Sequence, residues 1–325
     1  MEHKLDTMLV TIVADRGSAP RTAGAGMLVG PGGRLVGTIG GGAVEKRAEE
    51  MAVEAIKEKK SLVHDFELRY GSGDGLGMVC GGNVTVLFNI VPWDSGEWKQ
   101  VISAALKLMD EHKKYWFINP VEGGVPTVVS GGAVIAGPDI PGKVLSELNG
   151  EKPLLIGGEY FAEHVNCGER LVIFGAGHIA KCLCPLARTV GFRPVIYDDR
   201  PQYANKENFP EAEDIICADF GETAKHIEIT EDDYIVIMTS GHASDYSVQS
   251  RIMLGGKYAY LGVIGSRAKT LALNKKLTDI GITAEALSLV HTPIGLKIGA
   301  VTPEEIAVSI AGELILVRAE KMHNS

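Results

Sequence analysis

Leu171-Val172-Ile173-Phe174-Gly175-Ala176-Gly177-His178-Ile179-Ala180 is the stretch on which the reading of this chain turns. Four apolar residues in a row fit a buried parallel strand. A Gly-x-Gly-x-x-Ala turn follows. An apolar-patterned segment, Ile179 to Val190, then predicts a helix, with Pro185 predicting a kink or an early stop. Gly175 permits the tight turn and Gly177 lets backbone approach a pyrophosphate. Ala180 keeps helix and strand close where a third glycine is usual. The helix N-terminus offers free N–H groups and a positive dipole end to an anion. A second apolar run, Pro194-Val195-Ile196-Tyr197, ends in Asp198-Asp199, where a ribose-binding acid would sit. Strand, turn, helix, strand and acid in this order predict a dinucleotide-type fold. The competing reading is a glycine turn in another α/β fold that binds nothing.

Working outward, 325 residues suggest about two domains, and 45% hydrophobic with 22% charged residues is ordinary for a chain with a real core. A net charge of -9 argues against nucleic acid as the main partner. No apolar run approaches the ~20 residues of a membrane helix. The N-terminal Met1-Glu2-His3-Lys4-Leu5-Asp6 lacks a signal-peptide core. The five cysteines are scattered and odd in number, which does not suggest a disulfide framework. A cytoplasmic protein that contacts neither membrane nor nucleic acid is expected.

The first half reads as a glycine-rich α+β domain, residues 1–166, with a boundary near Asn166-Cys167-Gly168. Strands are expected at Met8 to Ala14, Met27 to Val29 and Leu35 to Ile39. The last runs into Gly40-Gly41-Gly42 and a helix from Ala43 to Lys57, whose inner face would carry Val44, Ala48, Met51 and Ala55. Backbone N–H groups at this junction would form an anion nest, to which Arg21 would add a charge; a surface salt bridge is the plainer role for Arg21. Cys80, beside Gly81-Gly82, is a candidate reactive thiol, against the plainer reading of a small packed residue. Short strands and two helices are expected from Trp98 to Val165.

Residues 167–325 form the Rossmann-like domain. Tyr234-Ile235-Val236-Ile237-Met238 empties into Thr239-Ser240-Gly241-His242-Ala243-Ser244-Asp245, and Tyr258 to Ile264 empties into Gly265-Ser266-Arg267. Ligands bind at the carboxyl edge of an open parallel sheet, so His242, Asp245, Ser266 and Arg267 are expected to share one crevice with Gly175 to His178. For His242 the competing role is a loop histidine bonded to backbone. Thr292 to Gly299 is a glycine-bearing loop able to lie across that crevice. Thr302-Pro303-Glu304-Glu305 predicts a capping box at the start of the last helix. Cys182 and Cys184 are two apart on a helix, and His178 with Cys182 supplies only two ligands, so no metal site is expected.

Taken together, these segments resemble the XdhC/CoxI family, accessory factors of xanthine dehydrogenase and related molybdenum hydroxylases, over nearly the whole chain. The resemblance is carried by Gly17-Ser18-Ala19-Pro20-Arg21, Gly37-Thr38-Ile39-Gly40-Gly41-Gly42-Ala43-Val44-Glu45 and Met78-Val79-Cys80-Gly81-Gly82. In the second half it is carried by Phe174 to His178, Asp198-Asp199-Arg200, Leu261 to Arg267, Pro293-Ile294-Gly295-Leu296 and Thr302 to Glu305. It implies a protein that binds molybdenum cofactor (a molybdopterin, in mono- or dinucleotide form), supports its sulfuration with a cysteine desulfurase, and hands it to an apo-hydroxylase. It also favours a homodimer. Members of the CoxI type carry a cysteine where this chain has Ala43, which removes sulfur chemistry from that junction. The expected cofactor contacts are Arg21, Gly40, Gly41, Gly42, Gly175, Gly177, His178, Asp198, Asp199, Ser266 and Arg267. The reactive candidates are Cys80, His242 and Asp245. A carrier with no turnover of its own is the leading reading. An NAD(P)-dependent oxidoreductase, with His178 or His242 as its acid or base, and a nucleotide-sensing scaffold are the rivals.

Overall fold

The computed structural model describes residues 4–17, 21–67 and 82–324, without the side chains of 267–269 and 322–324. The chain divides into two compact units, Met1–Cys167 and Gly168–Ser325. Cys80 lies outside the described residues.

The first unit contains β1 (Thr7–Arg16), β2 (Gly26–Gly30), β3 (Gly33–Gly37), α1 (Gly42–Glu58), β4 (Leu62–Glu67) and β5 (Asn83–Val91). These strands form an antiparallel sheet in the order β3-β2-β1-β5-β4. Met8, Val10 and Ile12 alternate inward from β1, as do Val84, Val86 and Phe88 from β5. They meet Val44, Ala48, Ala52 and Ala55 of α1, whose small side chains bring the helix close to the sheet. The strand expected to reach Ile39 stops at Gly37. That residue has φ 84°, and a Cβ there would collide with the Gly26 carbonyl, so the chain turns away before Thr38.

The same unit continues with α2 (Gly96–Asp110), β6 (Tyr115–Pro120), β7 (Thr127–Ser130), β8 (Ala133–Ala136), α3 (Gly142–Glu147), β9 (Leu154–Ile156) and β10 (Tyr160–Val165). A second antiparallel sheet, β8-β7-β6-β10-β9, packs α2 through Val101, Ala105 and Leu108 and packs α3 through Val144.

The second unit comprises β11 (Arg170–Phe174), α4 (His178–Thr189), β12 (Arg193–Asp198), β13 (Asp214–Cys217), α5 (Thr223–His226), β14 (Tyr234–Ile237), α6 (His242–Gly255), β15 (Tyr260–Val263), α7 (Arg267–Asp279), α8 (Ala284–Ser288) and α9 (Pro303–Asn324). Its five strands are all parallel in the order β13-β12-β11-β14-β15. The strand order reverses between β11 and β14, which makes that boundary the topological switch point. Leu171 and Ile173 face α4 and α9, whereas Val172 and Phe174 face α6 and its neighbours. Helices therefore cover both faces, which is why the strands read as continuous apolar runs.

Pro185 does not end α4, which runs on to Thr189. Ala180, Leu183, Cys184 and Ala187 bury that helix against the sheet and α9, and this packing outweighs the ~3 kcal/mol that an interior proline costs. The capping box of α9 forms as expected: Glu305 N–H donates to Thr302 Oγ1 at 3.3 Å, and Thr302 N–H donates to Glu305 Oε2 at 3.1 Å. Among the described residues, no helix is long and apolar enough to cross a membrane.

Candidate ligand site

The carboxyl edge of the parallel sheet is shaped first by backbone. Gly175 has φ 110°, and a Cβ there would collide with the Met238 carbonyl and lie 3.0 Å from Thr239 Cα. The turns after β11 and β14 thus touch, and glycine is the residue that lets them. Gly177 is different. It caps the N-terminus of α4 without a side-chain hydrogen bond, and a Cβ added there would meet nothing within 4 Å. Gly241 caps α6 in the same way, again with no side-chain bond. Two helix N-termini therefore flank the switch point with amides and positive dipole ends available to an anion. His178 and His242, each the first residue of its helix, are exposed.

The acids behave differently from the expectation. Asp198 is 0% exposed. Its Oδ2 accepts the Ala176 N–H at 2.7 Å and Arg200 Nη2 at 2.8 Å, while Oδ1 accepts Arg200 N at 3.0 Å and Nε at 2.8 Å. Burial opposes its charge, but the Arg200 side chain and the two amides outweigh it and hold the carboxyl below its ordinary range. With both oxygens engaged, Asp198 shapes the glycine turn and does not face a ribose. The exposed acid at this place is Asp199. Asp245, expected as a reactive group, is also 0% exposed; its Oδ1 accepts the Thr239 N–H at 3.1 Å and lies 2.6 Å from the Thr239 hydroxyl. It fixes the turn before α6 and is withdrawn from chemistry.

In the first unit, Gly40, Gly41 and Gly42 have φ values of 123°, 76° and 67°, the backbone of a nest. The chain fills that nest itself. Glu45 Oε2 accepts Ile39 N–H and Gly41 N–H, each at 3.1 Å, and also the Thr38 hydroxyl, while Gly40 N–H donates to Thr38 Oγ1 at 3.1 Å. Arg34 Nη1 holds the other oxygen at 2.5 Å. Burial works against the charge on Glu45, yet Thr38, the two amides and Arg34 together lower its pKa. The expected open anion site at Gly40 and Gly41 is corrected accordingly, because the Thr38 hydroxyl takes the Gly40 amide and the Glu45 carboxylate takes that of Gly41. Arg21 is exposed and makes no ion pair among the described residues.

On the other side of the switch point, His242 lines a cleft of about 320 Å³ with Ala272, Leu273 and Lys276 of α7. Ser266 is exposed, and its carbonyl accepts the Thr270 N–H at 3.0 Å. Arg267 is the first residue of α7, and its side chain lies outside the described residues. Lys276, which lines the cleft with His242, belongs to no motif by which the sequence could have marked it. Burial pushes the Cys184 thiol up to about 12 and raises that of Cys182 as well, which disfavours the thiolate at both. Among the described residues, no three His, Cys, Asp or Glu side chains gather as a metal site.

Profiles of known families match two stretches. The XdhC Rossmann domain matches residues 171–314, and the profile described as the XdhC and CoxI family matches residues 2–70. The chain belongs to the XdhC/CoxI family. It is 27% identical over 338 residues to a probable xanthine dehydrogenase subunit of Bacillus subtilis strain 168, covering 98% of this chain and 95% of that protein. It is 25% identical over 327 residues to the molybdenum cofactor insertion chaperone PaoD of Escherichia coli K12, covering 98% and 85%. A third relative, the uncharacterised YqeB of the same Escherichia coli strain, is 26% identical over 321 residues, and the chain spans only 44% of its length. Among solved structures, a xanthine dehydrogenase from Bacillus halodurans superposes with a TM-score of 0.81 at 25% identity, covering 98% of this chain and 93% of that one.

The Thr292 to Gly299 loop, whose course relative to the crevice the sequence left open, is anchored at two of its residues. Ile294 is buried against Gly262 of β15, and Gly295 N–H donates to Glu313 Oε2 of α9 at 2.5 Å. Glu313 also accepts the Tyr260 hydroxyl at 3.1 Å and lies 2.8 Å from His291 Nδ1. Ile294 and Gly295 thus pin the loop to β15 and α9, while Pro293 and Leu296 to Gly299 stay exposed.

Proposed function

We propose that this protein is a molybdenum cofactor-binding accessory protein: it carries the cofactor, supports its sulfuration and inserts it into a xanthine dehydrogenase-type molybdenum hydroxylase. The observation that carries the reading is the pairing of an open, uncapped α4 N-terminus at Gly177 with an internalised Asp198. Anion-binding amides stand free at the surface, while the carboxylate that would repel a phosphate is neutralised below. The names of PaoD and of the Bacillus subtilis relative support a maturation role.

In this reading the cofactor is cargo, and its dithiolene-held metal supplies its chemistry to the receiving hydroxylase. The chain's own residues bind and orient it. Amides after Gly177 take the phosphate, His178 adds a donor at the rim, and Asp199 meets the ribose of a dinucleotide form. Asp198 and Asp245, both buried and hydrogen-bonded, serve the turns, which leaves His178 and His242 as the acid–base groups a rival oxidoreductase would use. The partners of such a carrier are the apo-hydroxylase and a cysteine desulfurase, and a homodimer is its expected form.

The test is cofactor content after anaerobic purification from a molybdenum-replete host, with molybdenum read by mass spectrometry and oxidised pterin by fluorescence. Near-stoichiometric metal and pterin is the expected result. A protein that emerges empty, binds NADH tightly and reduces a small carbonyl compound would overturn the carrier in favour of an oxidoreductase.

A further inference from the structure

The unpaired Oε1 of buried Gln249 in α6 faces a space of about 10 Å³, room for one water. A larger and open cavity of about 370 Å³ lies between α5 and the C-terminal half of α6. Its origin is a short connection. The crossover from β13 to β14 contains a 3₁₀ turn at Phe220–Glu222 and the four residues of α5, where α6 and α7 have 14 and 13. So short a helix leaves the groove beside α6 unfilled. Tyr234 and Tyr260 open β14 and β15 a few residues after the lining residues Ile229 and Lys257. The cavity therefore stands at the amino edge of the parallel sheet, opposite the glycine turns of the carboxyl edge.

The lining is sorted by depth. Thr223, Ile227 and Ile252 are 3%, 8% and 5% exposed and form the floor. Thr223 Oγ1 donates to the Phe220 carbonyl at 2.8 Å, so its donor is spent and the floor is largely hydrocarbon. Ala224 and Ile229 carry the apolar surface outward. At the rim stand the exposed Arg251 and Lys257, neither of which forms an ion pair among the described residues. Glu228 is the acid of the lining. Its charge acts on Arg170, the cation that pairs with Asp233 and donates to the Glu228 carbonyl at 2.5 Å. The C-terminal end of α6 brings a negative dipole end equivalent to roughly half a charge, which two full cations outweigh.

We propose that the cavity between α5 and α6 binds a small amphipathic carboxylate. Its apolar body lies on Ile227, Ile229 and Ile252, and its carboxylate is held at the rim by Arg251 and Lys257. The guanidinium can meet a carboxylate with two parallel N–H donors, and the lysine adds a point charge. The volume lies at the lower end of the range for small-molecule sites, which suits a single ring or a short branched chain and is too small for a dinucleotide. This site is separate from the one in the carrier reading and does not rest on it.

Titration of the full chain with phenylacetate, phenylacetamide and phenethylamine tests this, because the three share a ring and differ in charge. NMR of the Ala224, Ile227 and Ile252 amides reads both affinity and position. The carboxylate is expected to bind at least about tenfold more tightly than the amide, with the amine weakest. R251Q and K257Q, both at exposed positions, should each weaken the carboxylate by about threefold to tenfold and leave the amide unchanged. A224W fills the cavity from an exposed position and should abolish binding of all three probes at an unchanged melting temperature. Absence of carboxylate binding at about 10 mM, equal binding of carboxylate and amide, or carboxylate binding that survives A224W would overturn the proposal. So would a carboxylate preference that both charge variants leave intact, since Arg251 and Lys257 would then be no more than solvated surface cations. Cofactor content of A224W should equal that of the wild type, so the result stands whatever becomes of the carrier.

Discussion

Asp198 Oδ2 accepts the backbone N–H of Ala176 at 2.7 Å, across 22 residues of sequence. The acid that ends β12 is therefore bonded to the middle of the glycine turn that follows β11. Three more glycine-bearing turns are held by the same device. Glu45 takes the amides of Ile39 and Gly41, Asp245 takes that of Thr239 in the turn leading to Gly241, and Glu313 takes that of Gly295. Glycine gives each turn its backbone freedom, and a largely buried carboxylate removes that freedom again once the chain is folded.

The Asp198 clamp predicts an acid-sensitive contribution to stability. Its folded pKa is lowered, so the contribution is fully present above the unfolded value of about 3.9 and is lost as pH falls through the folded value. D198N is expected to lower unfolding free energy at neutral pH by about 1.5–3 kcal/mol, the range for hydrogen bonds to a charged group. It should also flatten the acid limb of the stability profile. Urea melts of both proteins from pH ~7 down to pH ~3 check this.

Gly175 and Gly177 should separate folding from binding. G175A places a methyl group against the Met238 carbonyl at a φ of 110°, and is expected to lose several kcal/mol or fail to fold. G177A meets open space at a φ of -81° and should cost under about 1 kcal/mol. If the α4 N-terminus seats the cofactor phosphate, G177A should nevertheless lose at least about tenfold in cofactor retention. Thermal melts and pterin content of the two variants decide the matter.

Glu45 should report on the first unit alone. E45Q keeps the shape but loses the charge that gathers Thr38, Ile39, Gly41 and Arg34. Exchange of the Ile39 and Gly41 amides is expected to accelerate by at least about tenfold, an opening that is easier by roughly 1.4 kcal/mol. Amides of the parallel sheet, in the other unit, should keep their wild-type rates. Hydrogen exchange followed by mass spectrometry or NMR reads both.

At the start of α9, T302A removes the hydroxyl that receives the Glu305 N–H. A loss of about 1 kcal/mol is expected from urea melts, the usual effect of removing an N-cap side chain.

What the sequence determined by itself was everything carried by short-range pattern. Leu171 to Phe174 and Tyr234 to Ile237 could be read as parallel strands because burial on both faces demands unbroken apolar runs. Gly175, Gly177 and Ala180 marked the strand-to-helix turn, and Thr302 with Glu305 marked the start of α9, because a turn and a cap each need particular residue types at fixed offsets. The tertiary structure decided the rest, because it depends on atoms distant in the chain. Asp198 and Asp199 are neighbours of one type, and successive side chains of a strand point opposite ways; only the position of Ala176 settles that Asp198 turns inward. Glu45 reaches the amides of Ile39 and Gly41 because the glycine turn folds back over the start of α1, which composition cannot express. Pro185 sits inside a continuing helix because α9, more than a hundred residues later, helps bury the other side chains of that helix. Gln249 meets Thr270 and Thr292 only where α6, α7 and the edge of β15 converge, so its unpaired oxygen became visible only when the fold closed around it.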